Sequence, residues 1–224
     1  MCCLDVIVRD VWFYYRRGAY IFKGANTEFK CGRINVLVGP VGGGKTTLLL
    51  LISGLIVPQK GEILIGNMRA HQIDRKVFGV AFQNPDDQLF NPTVYDELAY
   101  SIRKLKNNFK EDVLKIAKRF KIEELLNKRV LELSFGEKKL VSIASILVHD
   151  PEIILLDEPT ANLSPGKKRI VMDVLIELKM KRKNIIVATH DISFAEKIAD
   201  TLFLVRDGKV LQIDKKMNLE DLLD

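Results

Sequence analysis

Ile34-Asn35-Val36-Leu37-Val38-Gly39-Pro40-Val41-Gly42-Gly43-Gly44-Lys45-Thr46-Thr47-Leu48-Leu49-Leu50-Leu51-Ile52 carries the complete pattern G-x-x-x-x-G-K-[S/T] from Gly39 to Thr46. The flanks give the pattern a mechanism. Residues 34–38 are mostly apolar and rich in β-branched side chains, which predicts a buried strand. Residues 47–52 read as helix. A strand feeding a glycine loop that opens into a helix aims successive backbone N–H groups, and the positive end of the helix dipole, at one point. An oligophosphate fits that arrangement. Glycine is expected because a Cβ would block close approach and several of these residues must reach positive φ. Gly39, Pro40, Val41, Gly42, Gly43, Gly44, Lys45, Thr46 and Thr47 are therefore the candidate phosphate cradle. Lys45 offers a compact positive charge to the β- and γ-phosphates, and the Thr46 hydroxyl a ligand for Mg²⁺. A glycine-rich turn beside a chance lysine would not account for the flanks.

A chain of 224 residues, 47% apolar and 29% charged, is long enough for one large domain with an inserted subdomain. The longest apolar stretch, Thr47 to Val57, is broken by Ser53 and Gly54 and is too short to span a bilayer. Asp5, Arg9 and Asp10 argue against a secretory leader. Cys2, Cys3 and Cys31 have neither metal-site nor disulfide-framework spacing, so packing in a reducing compartment is expected. The formal charge of +6 comes from runs such as Lys167-Lys168-Arg169 and Lys179-Met180-Lys181-Arg182-Lys183. These read as solvated helix faces. No aromatic-interleaved basic platform accompanies them, and no nucleic-acid partner is expected.

Residues 4–38 are β-rich, with Val6-Ile7-Val8, an alternation through Val11, Phe13 and Tyr15, and then the strand into the loop. Glu62–Ile65 and Val77–Phe82 add strands. Breakers between Asn84 and Pro92 introduce helical periodicity to about Val148, with Phe109, Val113, Ile116, Ala117 and Phe120 on one face. Strands return at Ile153–Leu156 and Ile185–Ala188, separated by a helix near 165–182, and 201–213 reads as a hairpin turning at Asp207-Gly208. The expected fold is α/β, with residues 1–84 and 150–224 forming the nucleotide core and 85–149 an inserted helical subdomain.

Asp157 and Glu158 follow the apolar run Ile153–Leu156, at the carboxyl end of a buried strand where a parallel sheet would set them beside the phosphate loop. Strand alternation would send them to opposite sides. Asp157 would hold Mg²⁺, directly or through water, and Glu158 would polarise the attacking water.

With Gln83, Leu133-Ser134-Phe135-Gly136-Glu137 and His190, these elements resemble, in order and over nearly the whole chain, the ATP-binding subunit of ABC transporters. The resemblance implies a P-loop NTPase with a RecA-like core, of ABC type, carrying an N-terminal antiparallel β subdomain and an inserted helical signature subdomain. It implies ATP and Mg²⁺ as ligands and hydrolysis coupled to transport. Gln83 would contact Mg²⁺ and the water. Residues 133–137 match the signature LSGGQ, so that Ser134, Gly136 and Glu137 would cap the γ-phosphate held by an opposite subunit. Tyr15 would stack on adenine, and His190 would hold the γ-phosphate.

The segment Phe82-Gln83-Asn84-Pro85-Asp86-Asp87-Gln88-Leu89-Phe90 is similar to ATPases of energy-coupling-factor and cobalt-type importers, which serve transition-metal or vitamin uptake. That likeness implies a subunit peripheral to the cytoplasmic face of the cell membrane, with a membrane-embedded partner touching residues 83–90. ABC ATPases of another transporter class, or a regulatory ABC protein acting on ribosomes or nucleic acid, are the alternatives. Phe135 and Glu137 depart from the signature, Ser164 stands where the family has Asp, and Val41 stands where Asn is common. A second ATPase subunit is required in either case, identical or paralogous, and the departures favour a paralogue.

Overall fold

The computed structural model describes residues 4–103, 105–215 and 217. Cys2 and Cys3 lie outside that set. A six-stranded sheet organises the chain. Its strands are β3 (Ile34–Val38), β6 (Phe78–Ala81), β7 (Ile153–Asp157), β8 (Asn184–Ala188), β9 (Thr201–Arg206) and β10 (Lys209–Ile213), in the order β10-β9-β3-β8-β7-β6. All pair in parallel except β10, which returns antiparallel on β9 through Asp207 and Gly208 at φ 51° and 76°. That turn is the one the Asp-Gly pair predicts.

The central strands are apolar on both sides because both faces are covered. Ile154, Leu156, Ile185 and Val187 enter a core shared with the helices α5 (Pro165–Met180) and α6 (Ile192–Ile198) and the helical block. Ile153, Leu155, Ile186 and Ala188 face a second core with α1 (Lys45–Ile52) and a four-stranded antiparallel sheet. That sheet is ordered β2-β1-β4-β5, from β1 (Val6–Tyr14), β2 (Tyr20–Phe29), β4 (Lys60–Ile65) and β5 (Met68–Arg69). The two segments expected at 6–8 and 11–15 are one strand bent at Asp10, which sits at φ 46° where the register with both neighbours shifts.

Between β6 and β7 the chain is helical: α2 (Val94–Tyr100), α3 (Lys110–Phe120) and α4 (Phe135–Leu147), with short 3₁₀ turns between. Val113, Ile116, Ala117 and Phe120 are the buried face of α3, as the periodicity predicts. Glu97, only 4% exposed, accepts from the Phe90 and Asn91 amides and from Asn91 Nδ2 at 2.9–3.1 Å, which fixes the connector leaving β6.

One expectation is corrected. Cys31 is disulfide-bonded rather than merely packed. Cysteine spacing along the chain does not report which sulfurs a fold brings together.

Candidate nucleotide site

Register places the site. Leu37 pairs with Ala188 and Ala188 with Asp157, so β3, β8 and β7 end at one level. The Thr189 amide continues the ladder to the Leu37 carbonyl at 3.0 Å, and the Glu158 amide reaches the Ala188 carbonyl at 2.8 Å. The glycine loop, the acidic pair and His190 therefore meet at the carboxyl edge of the sheet, where open α/β folds bind ligands.

The loop is a built shape. Gly39, Gly42 and Gly44 have φ of 147°, 78° and 104°. A Cβ on Gly39 would fall 2.3 Å from the Val205 carbonyl oxygen, one on Gly43 2.9 Å from the same atom, and one on Gly44 2.8 Å from Ile21. Close approach to the protein's own strands demands those glycines. Gly42 differs, since a Cβ there meets nothing. Val41 is fully exposed at the loop tip. The buried Lys45 ammonium donates to the Gly39 and Pro40 carbonyls at 2.7 and 2.9 Å. Burial pushes its pKa down, against the opposing pull of Glu158 and Asp157.

Thr46 Oγ1 donates to Asp157 Oδ2 at 2.6 Å. Burial raises the Asp157 pKa, and the Thr46 bond partly offsets the rise. A hydroxyl and one carboxylate make a sparse metal site, and among the described residues no cluster of three acidic, histidine or cysteine side chains could hold an ion. That donor set suits Mg²⁺, which keeps most of its shell as water and substrate phosphate.

Glu158 does not follow strand alternation. β7 ends at Asp157, and Glu158 turns through the left-handed region at φ 47°, which swings its side chain under the end of β8. There its carboxylate accepts from Thr189 Oγ1 at 3.0 Å and the His190 amide at 3.0 Å, and pairs with His190 Nδ1 at 2.7 Å. Glu158 is buried, whereas the His190 side chain is 60% exposed.

A cleft of about 530 Å³ opens beside this edge, lined by Thr46, Gln83, Asn84, Asp157 and, from α4, Phe135. Gln83 is exposed in it. Phe135 thus borders the chain's own cleft. The neighbouring signature residues are tied among themselves: Ser134 Oγ donates to Glu137 Oε2 at 2.6 Å, the Ser134 amide to the same oxygen at 2.8 Å, and the Glu137 amide to Ser134 Oγ at 3.4 Å. This capping box holds the Glu137 pKa down. Gly136 packs beside Lys167, which a Cβ would approach to 3.1 Å.

Tyr15 follows β1, half-exposed, its hydroxyl 3.5 Å from Thr47 Oγ1 and its ring edge-on to Phe13. Tyr14 instead packs on Tyr20. Thr189 and Lys139 were missed. The signal for Lys139 was present as a lysine amid the apolar positions of α4, and it is fully buried. Burial pushes its pKa down to about 8, with Asp157 and Glu158 opposing.

The sequence profile of the family described as ABC transporter matches residues 22–161. A putative ABC transporter ATP-binding protein of Archaeoglobus fulgidus is 45% identical over 211 residues, 90% of this chain and 87% of that protein. The energy-coupling factor transporter ATP-binding protein EcfA of Methanocaldococcus jannaschii is 39% identical over 216 residues, 92% and 77% of the two chains. Among solved structures, cbiO1 from Clostridium perfringens, part of the ABC transporter complex cbiONQ, matches with a TM-score of 0.82 at 35% identity, covering 94% and 88%. A dimeric ATP-binding cassette in a post-hydrolysis state, bound to ADP and Pi, matches at 0.84 and 28% identity, covering 95% and 100%.

The chain belongs to the ABC transporter family. Within it the chain is an ATP-binding subunit with ATPase activity, and the α/β P-loop fold expected from the glycine loop is the fold observed. No helix among the described residues is long and apolar enough to cross a membrane.

Proposed function

We propose that this chain is the ATP-hydrolysing subunit of an energy-coupling-factor importer for a transition-metal ion or vitamin, peripheral to the cytoplasmic face of the cell membrane. The observation that carries the hydrolytic reading is the Glu158 carboxylate, buried and held by Thr189 and His190 one residue from the Thr46–Asp157 pair. The relatives' energy-coupling-factor and cbiO assignments support the transporter class. Residues 1–84 and 150–224 would act as the nucleotide core. The helical block 85–149 would meet the membrane partner through Gln83 to Phe90, where Phe90 is exposed and stacks edge-on against Tyr100.

In this reading the loop amides from Gly42 to Thr47 cradle the phosphates and Tyr15 stacks on the base. Lys45 exchanges its two carbonyl partners for phosphate oxygens. Thr46 and Asp157 hold Mg²⁺ with Gln83 beside them, and the ion when bound supplies charge neutralisation at the transferring phosphoryl group. Glu158 accepts a hydrogen bond from the attacking water. His190, released from Glu158, donates to the γ-phosphate, so the two residues work by placement and electrostatics.

A second subunit supplies Ser134, Gly136 and Glu137 equivalents to this chain's ATP. The Ser134 hydroxyl here is already donated to Glu137, and a second carboxylate charge would face the γ-phosphate. That arrangement favours a paralogous partner over a second copy.

The test is turnover of purified protein with Mg-ATP. Glu158→Gln is expected to bind ATP normally and to hydrolyse it about 10³-fold more slowly, roughly 4 kcal/mol of barrier. An unchanged rate removes Glu158 from the reaction.

A further inference from the structure

Lys139 has no exposed surface, and its neighbours on α4, including Leu140, Val141, Ile143 and Ala144, are buried and apolar. An ammonium in such a place is retained only where its donors are satisfied. Its Nζ donates to the carbonyl oxygens of Gln83 at 2.7 Å, Phe82 at 2.9 Å and Asp157 at 3.3 Å. Three N–H donors meet three acceptors. Two belong to the segment leaving β6, and the third to the tip of β7. Both segments place a side chain at the cleft, Gln83 from one and Asp157 from the other. Gln88 adds a second tie from the same connector, donating to the Ser142 carbonyl of α4 at 2.8 Å.

We infer that Lys139 is a positioning residue for ATP hydrolysis, clamping the backbone of Gln83 against that of Asp157 and coupling both to the signature helix. The clamp makes α4, the β6 exit and the β7 tip one mechanical unit. Displacement of the helical block would therefore carry Gln83 relative to the phosphate loop, and a misplacement of about 1 Å at such a site lowers rate by about 10²-fold. The inference rests on the ATPase reading above and adds a residue that contacts no reacting atom.

Lys139→Met keeps the chain length and apolar fit but removes all three donors. Lys139→Gln, too short to span the carbonyls, provides a second variant should the methionine protein fail to fold. Each is compared with wild type in Mg-ATP turnover, in ATP affinity without Mg²⁺, and in amide hydrogen exchange of residues 82–90 against 39–47. We expect kcat to fall about tenfold or more with ATP affinity within about twofold. Exchange should accelerate around Gln83 and Asn84 and not in the phosphate loop. In a Gln83→Ala background the Lys139 substitution should lower kcat little further, because the group being placed is gone. Fully additive losses, a parallel loss of ATP affinity, or exchange rising equally in both segments would overturn the inference. Failure of the ATPase reading itself has a separate signature, namely Glu158→Gln hydrolysing ATP at the wild-type rate.

Discussion

Thr46 and Asp157 share one proton bridge of 2.6 Å that joins the first turn of α1 to the tip of β7. The hydroxyl and the carboxylate proposed to hold Mg²⁺ are thus adjacent. Asp157 bears a desolvation penalty that the Thr46 bond only partly relieves. Asp157→Asn can still accept from Thr46 and no longer buries a charge. We expect the ligand-free variant to melt at or above the wild-type temperature, gaining up to about 1 kcal/mol. It should bind ATP without Mg²⁺ and lose at least about 10²-fold in Mg²⁺-dependent turnover. Calorimetry with and without Mg²⁺ separates the two effects.

Lys45→Ala leaves the Gly39 and Pro40 carbonyls without their buried donor and removes the charge proposed to face the phosphates. ATP affinity should fall about 100-fold or more, near 3 kcal/mol, as measured by titration with a fluorescent nucleotide.

The loop glycines divide into two kinds. Gly39→Ala drives a Cβ into the Val205 carbonyl and should destabilise the fold by about 3 kcal/mol or more. Gly42→Ala meets nothing and bears only the strain of positive φ, about 1 kcal/mol. Paired denaturation curves distinguish them. If Gly42→Ala folds yet binds ATP poorly, the ligand and not the fold requires that glycine.

Phe135→Gly together with Glu137→Gln restores an uncharged, small signature. We expect the double variant, in a Glu158→Gln background, to form an ATP-dependent homodimer in size-exclusion chromatography where the Glu158→Gln chain alone stays monomeric. A stable homodimer of the Glu158→Gln chain alone would remove the need for a paralogue.

Asp191 caps α6 by accepting from the Phe194 amide at 3.0 Å and pairs with Lys168 at 2.5 Å. Burial opposes ionisation of Asp191, yet the Lys168 contacts and the cap outweigh it and hold its pKa below the ordinary 3.8. A depressed carboxylate stabilises the fold above its unfolded pKa and loses that contribution as pH falls through the folded value. Asp191→Asn keeps a cap acceptor and loses the pair, so it should differ from wild type by under about 1 kcal/mol at neutral pH. The gap should close below about pH 4 in acid-unfolding curves, following the ordinary aspartate range.

The parallel core was legible because strands buried on both faces are written as unbroken apolar runs, as at Ile153–Leu156 and Ile185–Ala188. The Asp207-Gly208 turn was legible because few residues accept two consecutive positive φ angles. The strand Tyr20–Phe29 was not, since Lys23, Gly24, Asn26 and Thr27 dilute its alternation and its pairing with β1 comes from tertiary contact. At the candidate site the sequence named residues to propose, but the direction of Glu158 was not readable. One left-handed residue beyond the strand overrides alternation, and nothing local in Glu158-Pro159 announces it. Lys139 stayed hidden because its three acceptors are backbone carbonyls, which sequence motifs do not encode.

Val205, on the hairpin strand β9, fixes both Gly39 and Gly43 with a single carbonyl. The phosphate loop is therefore cast against a part of the chain more than 160 residues distant, and it takes its form when the protein folds. A loop braced in this way by a distant strand would offer its amides already in place, so that little of a nucleotide's affinity would go into ordering it.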